Sequence, residues 1–214
     1  MHDDHFIQDP AYAGHFGAYR AILHRLLHHD PAMFELPRDI RIVDVGCGYG
    51  DLLKTLRARG YTNLIGVEPD PVCRGGARKI GLDVRGGTLA ATGLPDASAD
   101  AVIVNMVFHH IDDYASAAAE IARVLKPNGI LCMMEPAPTV LRRLMDFLTF
   151  RTPLQKISKA VASRYAVMKL EMDTGMYPKF LADQEEFHAA LERHFQKLWL
   201  RTGWFFQFGK YRRR

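Results

Sequence analysis

Short apolar runs alternate with amphipathic stretches along most of the chain. The β-branched run over 40–45 reads as a buried strand, and Leu52, Leu53 and Leu56 then recur at helical spacing over 50–58. The alternation continues with a strand over 63–67, a helix N-capped by Asp70, a short strand at 82–85, a strand over 101–105 and a helix over 113–125. A Lys126-Pro127-Asn128-Gly129 turn leads into a strand over 130–134. Upstream, Tyr12, Phe16, Tyr19, Leu23, Leu26 and Leu27 place a helix over Ala11–His29. Downstream, apolar faces between Val140 and Met168 predict further helices, and Asp183 with Glu186 predicts a capping box. A closing antiparallel hairpin over 195–201 and 204–208, joined at Thr202-Gly203, ends the series. Strands alternating with helices predict an α/β fold, a doubly wound and mostly parallel sheet with right-handed crossovers.

The most informative segment is Ile40-Arg41-Ile42-Val43-Asp44-Val45-Gly46-Cys47-Gly48-Tyr49-Gly50. A strand ending in an acid opens into alternating glycines, which let the backbone turn sharply and approach a ligand closely. A second strand ends at Glu68, near the ~20-residue spacing at which nucleotide-binding α/β domains place a ribose-binding carboxylate. The third glycine of a dinucleotide fingerprint is replaced by Asp51, and no P-loop lysine follows. With Asp44 and Asp51 flanking it, the loop suits a ribose-bearing cofactor with no phosphate and a positive end.

VDVGCGYG, GVEPD, GTLAATGLPDASADAVIVNMVFHHI and LKPNGIL, in that order between Arg38 and Pro136, resemble class I S-adenosylmethionine-dependent methyltransferases. The resemblance is to the small-molecule branch that includes the quinone-biosynthesis type (methyltransferase type 11). It implies a seven-stranded Rossmann-like sheet with a C-terminal antiparallel hairpin and an inserted helical cap. It also implies one domain: an N-terminal helical lid (1–37), a cofactor-binding core (38–136), a helical cap (137–182), and a final helix and hairpin (183–214).

The cofactor the resemblance implies is S-adenosyl-L-methionine. Glu68 would accept hydrogen bonds from both ribose hydroxyls; otherwise it is a carboxylate at a helix N-terminus. Gly46, Cys47, Gly48 and Gly50 would lie against the methionine part. Asp44 would engage its ammonium or merely cap the loop, and Tyr19 belongs to the lid. Family members commonly place an acid against the adenine amine; the matching position here is Thr88. The Leu89 backbone can still pair with the ring, and Pro69 and Leu89 are candidates to sandwich it. Asn105-Met106-Val107-Phe108-His109-His110 follows the fourth strand, where the acceptor meets the sulfonium in this family. Asn105 and Phe108 hold the outer positions of an Asn-Pro-Pro-Phe motif that lacks both prolines here. His110, with His109 beside it, is the candidate catalytic base, because an imidazole of pKa about 6.5 can take a hydroxyl proton. Glu135 is a further catalytic candidate; a pinned turn and a solvated strand end are the plain alternatives.

Composition adds four bounds. A content of 48% hydrophobic and 24% charged residues is ordinary for a folded domain. No apolar run approaches the ~18 residues of a membrane span. Three cysteines in three separate elements form no disulfide framework, so a reducing cytoplasmic location is expected. The His-rich start (His2, His5, His15, His24, His28, His29) lacks the pattern that would accompany ligands, so no metal is assigned.

The net charge of +4 conceals a surplus of six cations over 138–170 and of six more over 197–214. The basic half is therefore a face for an anionic substrate or surface. The leading reading is methyl transfer by in-line displacement to a small or lipid-like acceptor; the basic helices over 138–170 cap that acceptor, rest on an anionic membrane, or simply close the sheet edge. RNA methylation, prompted by the Lys210–Arg214 tail with Trp199 and Trp204, is the second reading. A non-catalytic S-adenosylmethionine-binding scaffold is the third.

Overall fold

The computed structural model describes residues 35–214, without the side chains of Lys159, Ala160, Ser163, Val167 and Leu170. The expected helix over Ala11–His29, its Tyr19 and the His-rich start lie outside the described residues.

Seven strands form one sheet: β1 (Ile42–Val45), β2 (Leu64–Val67), β3 (Val84–Arg85), β4 (Ala99–Asn105), β5 (Leu125–Pro136), β6 (Phe195–Thr202) and β7 (Phe206–Arg213). Their order across the sheet is β3-β2-β1-β4-β5-β7-β6. The first five run parallel, and β7 pairs antiparallel with both β5 and β6. Helices α1 (Asp51–Ala58), α2 (Pro71–Lys79) and α3 (Tyr114–Val124) make the parallel crossovers. Between β5 and β6 lie α4 (Val140–Arg151), α5 (Lys159–Asp173), α6 (Met176–Ala182) and α7 (Gln184–His194).

The central strands are apolar on both faces because helices cover both. On one face Val43, Val45, Val102 and Val104 pack with Ala117, Ala118 and Ile121 of α3 and with Phe187 and Leu191 of α7. On the other, Ile42, Ala101, Ile103 and Met134 pack with Leu52 and Leu56 of α1. The alternation along each strand divides the two layers.

Strand order reverses between β1 and β4, where successive crossovers leave for opposite faces and open a crevice at the carboxyl edge. Asp44 in β1, Glu68 after β2, Asn105 at the end of β4 and Glu135 near the end of β5 all stand along that edge.

Three local expectations are corrected. Residues 126–129 do not separate a helix from a new strand; they are an excursion within β5, between the Ala99–Leu125 and Ala101–Ile130 pairings, with Asn128 at φ 63°. Asp183 makes no side-chain cap to α7. Its N–H closes α6 on the Lys179 carbonyl at 2.8 Å, and its φ of −92° and ψ of 31° are not the extended geometry a capping box needs. The closing strand does not end at 208: β7 runs to Arg213 between two strands, and Tyr211 is buried opposite Leu131. A strand wedged between two others pairs along its whole length because buried backbone groups need partners.

Candidate functional site

At the cofactor end, Gly46, Gly48 and Gly50 hold φ values of 74°, 53° and 78°, a region L side chains rarely adopt. A Cβ on Gly46 would lie 2.4 Å from Val107 Cγ2, so the loop and the turn after β4 can approach only through glycine. At Gly48 nothing stands within 4 Å, leaving that side of the loop open. Glu68 is buried and faces the bend: its Oε2 accepts the Gly48 N–H at 2.8 Å and its Oε1 accepts the Asp70 N–H at 3.0 Å. Burial raises the Glu68 pKa against the pull of these amides. Asp44 is 2% exposed, and burial together with the Glu68 carboxylate pushes its pKa up to about 7. Two buried carboxylates with raised proton affinity form a site that a cation would relieve.

At the acceptor end, a single 3₁₀ turn (Phe108–His110) follows β4. Phe108 anchors it against Phe187 with ring centroids 5.0 Å apart. Glu135, fully buried, organises the turn: its Oε1 accepts the N–H groups of Val107 at 2.8 Å and Phe108 at 2.7 Å. Its Oε2 lies 2.7 Å from His109 Nδ1; with Glu135 ionised, Nδ1 carries the proton and Nε2 keeps its lone pair. Burial pushes His109 down to about 3 and Glu135 up to about 7, so His109 is neutral at physiological pH. The exposed His110 ring lies 4.0 Å from that of His109, centroid to centroid. Asn105 Oδ1 is buried without a hydrogen-bond donor.

A charged cluster from the inserted helices closes on this turn. Arg142 of α4 is fully buried and donates to Tyr177 Oη at 3.0 Å and from Nε to the Phe205 carbonyl at 3.0 Å. Arg164 of α5 pairs with Asp146 and donates to Thr149 Oγ1 at 2.5 Å. Glu171 Oε2 lies 3.9 Å from His109 Nε2. Burial raises Glu171 to about 7 despite Arg142 and Arg164 nearby.

Comparison with known proteins places the chain in a family. Residues 12–169 match the family model described as a methyltransferase domain. The chain belongs to the methyltransferase domain family. It is 29% identical over 177 residues to a ubiquinone biosynthesis O-methyltransferase of Azorhizobium caulinodans, covering 79% of this chain and 64% of that one. It is 34% identical over 116 residues to a demethylmenaquinone methyltransferase of Thermus thermophilus, covering 51% and 52%. The chain thus spans between about half and two thirds of the length of these curated relatives. A solved SAM-dependent methyltransferase from Thermotoga maritima superposes with a TM-score of 0.63 at 20% identity, covering 95% of this chain and 98% of that one. At that identity the likeness concerns the fold alone, a seven-stranded Rossmann-like sheet with a C-terminal antiparallel pair.

Within this methyltransferase fold the cofactor is S-adenosylmethionine, and the residues present fit it. The glycine bend leaves room at Gly48, the Glu68 carboxylate faces it with lone pairs to spare, a cation would relieve the buried Asp44, and among the described residues nothing donates to Asn105 Oδ1. Pro69 is half-buried beside Glu68. Thr88 is exposed, its Oγ1 accepting the Ala91 N–H at 3.1 Å, and Leu89 sits in the main core. The Cys47 side chain points away from the bend into the Leu53–Ala77–Val84 cluster, so only its backbone belongs to the loop. Glu135 is no solvated strand end: it is fully buried and meets the Val107 and Phe108 N–H groups and His109 Nδ1.

Arg142, Asp146, Arg164, Glu171 and Tyr177 were missed as site residues. Arg142 and Arg164 look like solvated cations in the sequence, and nothing at short range shows that they turn inward. Among the described residues no helix is long and apolar enough to cross a membrane.

Proposed function

We propose that this chain is an S-adenosylmethionine-dependent methyltransferase acting on a small, lipid-like acceptor. The observation that carries the reading is Glu68 bonded to the Gly48 amide across an open glycine bend, beside the buried Asp44. When bound, S-adenosylmethionine supplies an electrophilic methyl group on a sulfonium.

The chain's own groups do the rest. Glu68 has lone pairs left beyond its two amide bonds for a ribose diol, and its fixed position orients the nucleoside. Asp44, once ionised, balances the ammonium of the methionine part. The turn after β4, held by Glu135, sets the acceptor side at the neighbouring strand end. His110 stands exposed at the turn; desolvation and the neighbouring His109 push its pKa down to about 3, so it is neutral and can take the proton of an acceptor hydroxyl only as that oxygen acidifies during methyl transfer. The buried His109 stays neutral behind His110. Since charge is lost from the sulfonium as the methyl leaves, alignment in a dry pocket supplies much of the acceleration.

The names of the quinone-biosynthesis relatives support an apolar acceptor. So does the outer face of α4, where Val140, Leu144 and Phe147 are exposed beside Arg143 and Arg151, a surface suited to an anionic bilayer carrying such a molecule. The engagement of Lys210–Arg213 in β7 argues against a free RNA-binding tail.

The test is transfer of labelled methyl to a hydroxylated quinol presented in anionic vesicles, with S-adenosylhomocysteine as coproduct. Replacing Glu68→Gln should weaken S-adenosylmethionine about 100-fold, as expected when charge-assisted hydrogen bonds are lost. A folded wild-type chain that binds the cofactor yet never forms S-adenosylhomocysteine with any acceptor pool would instead be the scaffold.

A further inference from the structure

The two histidines after β4 meet a carboxylate from a distant helix. One oxygen or nitrogen from each of His109, His110 and Glu171 lies within 4.8 Å of the other two. We propose that these three side chains bind one divalent transition ion, Zn2+ by the character of the donors, with Glu135 as the positioning residue behind them.

Four observations converge. First, the His109 tautomer is set for a metal: Nδ1 donates to Glu135 at 2.7 Å and Nε2 faces Glu171 at 3.9 Å. A ligating imidazole characteristically gives its other N–H to a carboxylate, which fixes the ring and raises its basicity. Second, Glu171 has no donor of its own. Arg142 directs its donors to Tyr177 and the Phe205 carbonyl, and Arg164 to Asp146 and Thr149. Among the described residues no hydrogen bond reaches the Glu171 carboxylate, although its side chain is only 11% exposed. A carboxylate so buried is costly without a cation or donor.

Third, the spacing is close to coordination. Tetrahedral Zn2+ with bonds of about 2.1 Å separates its ligand atoms by about 3.4 Å, so no separation has to close by more than about 1.4 Å, within reach of the His110 and Glu171 side chains. Fourth, the donor set has an open side. His109 is buried, Glu171 partly buried and His110 exposed, which leaves the fourth position toward solvent and the acceptor. Formal charge agrees: Glu135, Glu171 and Asp146 outnumber Arg142 and Arg164 by one, so an ion holding one anionic oxygen brings the cluster to neutrality.

The inference rests on the reading that the acceptor lies against His109 and His110, and it deepens that reading. It assigns the two imidazoles to an ion, which takes an acceptor oxygen as its fourth ligand and lowers that oxygen's pKa, the proton passing to solvent. The acceptor class is then one with a hydroxyl able to ionise on a metal.

The experiment titrates Co2+ into chelator-treated full-length chain, follows the visible absorption of tetrahedral Co2+, and displaces it with Zn2+. One equivalent should develop the band. His109→Ala, His110→Ala and Glu171→Gln should each weaken it by about 100-fold, and Glu135→Gln by about 10- to 100-fold. Titrating each variant with S-adenosylmethionine checks that it is folded, and His110→Ala changes only an exposed side chain. An unchanged band and affinity in Glu171→Gln would place the ion elsewhere, for instance on the N-terminal histidines, and would overturn the proposal, as would absence of a band. Cofactor binding and turnover are read separately. Methyl transfer by metal-free chain therefore sinks this inference alone and leaves His110 as the base.

Discussion

The cofactor end of the site draws its glycines and carboxylates from one stretch of chain, Asp44 to Asp70, with Asn105 at its border, whereas the acceptor end gathers Val107–His110, Glu135, Arg142, Glu171 and Tyr177 from separate elements. The first is made of backbone amides, glycines at positive φ and two carboxylates a strand apart. The second is made of buried side-chain charge that holds together only when α4, α5 and α6 close over the sheet edge. The two meet where Val107 packs onto Gly46. The contrast separates what all members of such a fold must do, hold one cofactor, from what each must do differently, hold its own acceptor.

If that division is right, damage to the acceptor end should cost stability or turnover and spare the cofactor, with the reverse at the other end. The largest effect is expected for Arg142→Met. Removing a fully buried guanidinium leaves the Tyr177 hydroxyl and the Phe205 carbonyl without their donor and takes a cation from beside Glu171, and should destabilise the fold by about 3–5 kcal/mol, read by urea unfolding. A loss under about 1 kcal/mol would show that the cluster is not the keystone of the inserted helices.

Next is Glu135→Gln, which cannot accept from two amides and an imidazole together. It should lower kcat by about 100-fold and leave the S-adenosylmethionine Kd within about twofold. Loss of cofactor affinity instead would mean the two ends are not separable.

The smallest effect concerns pH at the cofactor end. Burial raises Asp44 from its ordinary range to about 7, so the folded chain keeps a proton that the unfolded chain has lost. The contribution of this group to stability is thus greatest in acid and is lost as pH rises from about 4 to 7. Binding a cationic ligand favours the ionised form, so S-adenosylmethionine should bind up to about tenfold tighter per pH unit until about pH 7 and level off above it. Asp44→Asn should bind more weakly and abolish the slope, as read by calorimetry across that range.

The division also explains what could be read from the sequence. Strand ends, glycine spacing and the Glu68 offset are short-range features dictated by local backbone needs, so the parallel core and the cofactor loop were legible. The tautomer of His109 was not, because it depends on Glu135 across a strand pair. Nor were the inward turns of Arg142 and Arg164, since an arginine on an amphipathic stretch looks the same whether it faces water or a buried carboxylate. The capping box at Asp183 failed for a related reason: two helices share that residue, and its backbone serves the first. The extension of β7 beyond 208 was hidden because Lys210, Arg212 and Arg213 break the apolar pattern of a strand whose pairing partners are distant in sequence.

The central claim is that the bend at 46–50 and Glu68 hold a nucleoside bearing positive charge and no phosphate. Calorimetric titration of the full chain with S-adenosylmethionine, repeated in the presence of excess ADP-ribose, tests it most directly. The account predicts one site in the micromolar range that ADP-ribose does not displace, because Asp44 and Glu68 repel its pyrophosphate. Tighter binding of ADP-ribose, or no heat with S-adenosylmethionine from folded protein, would contradict it.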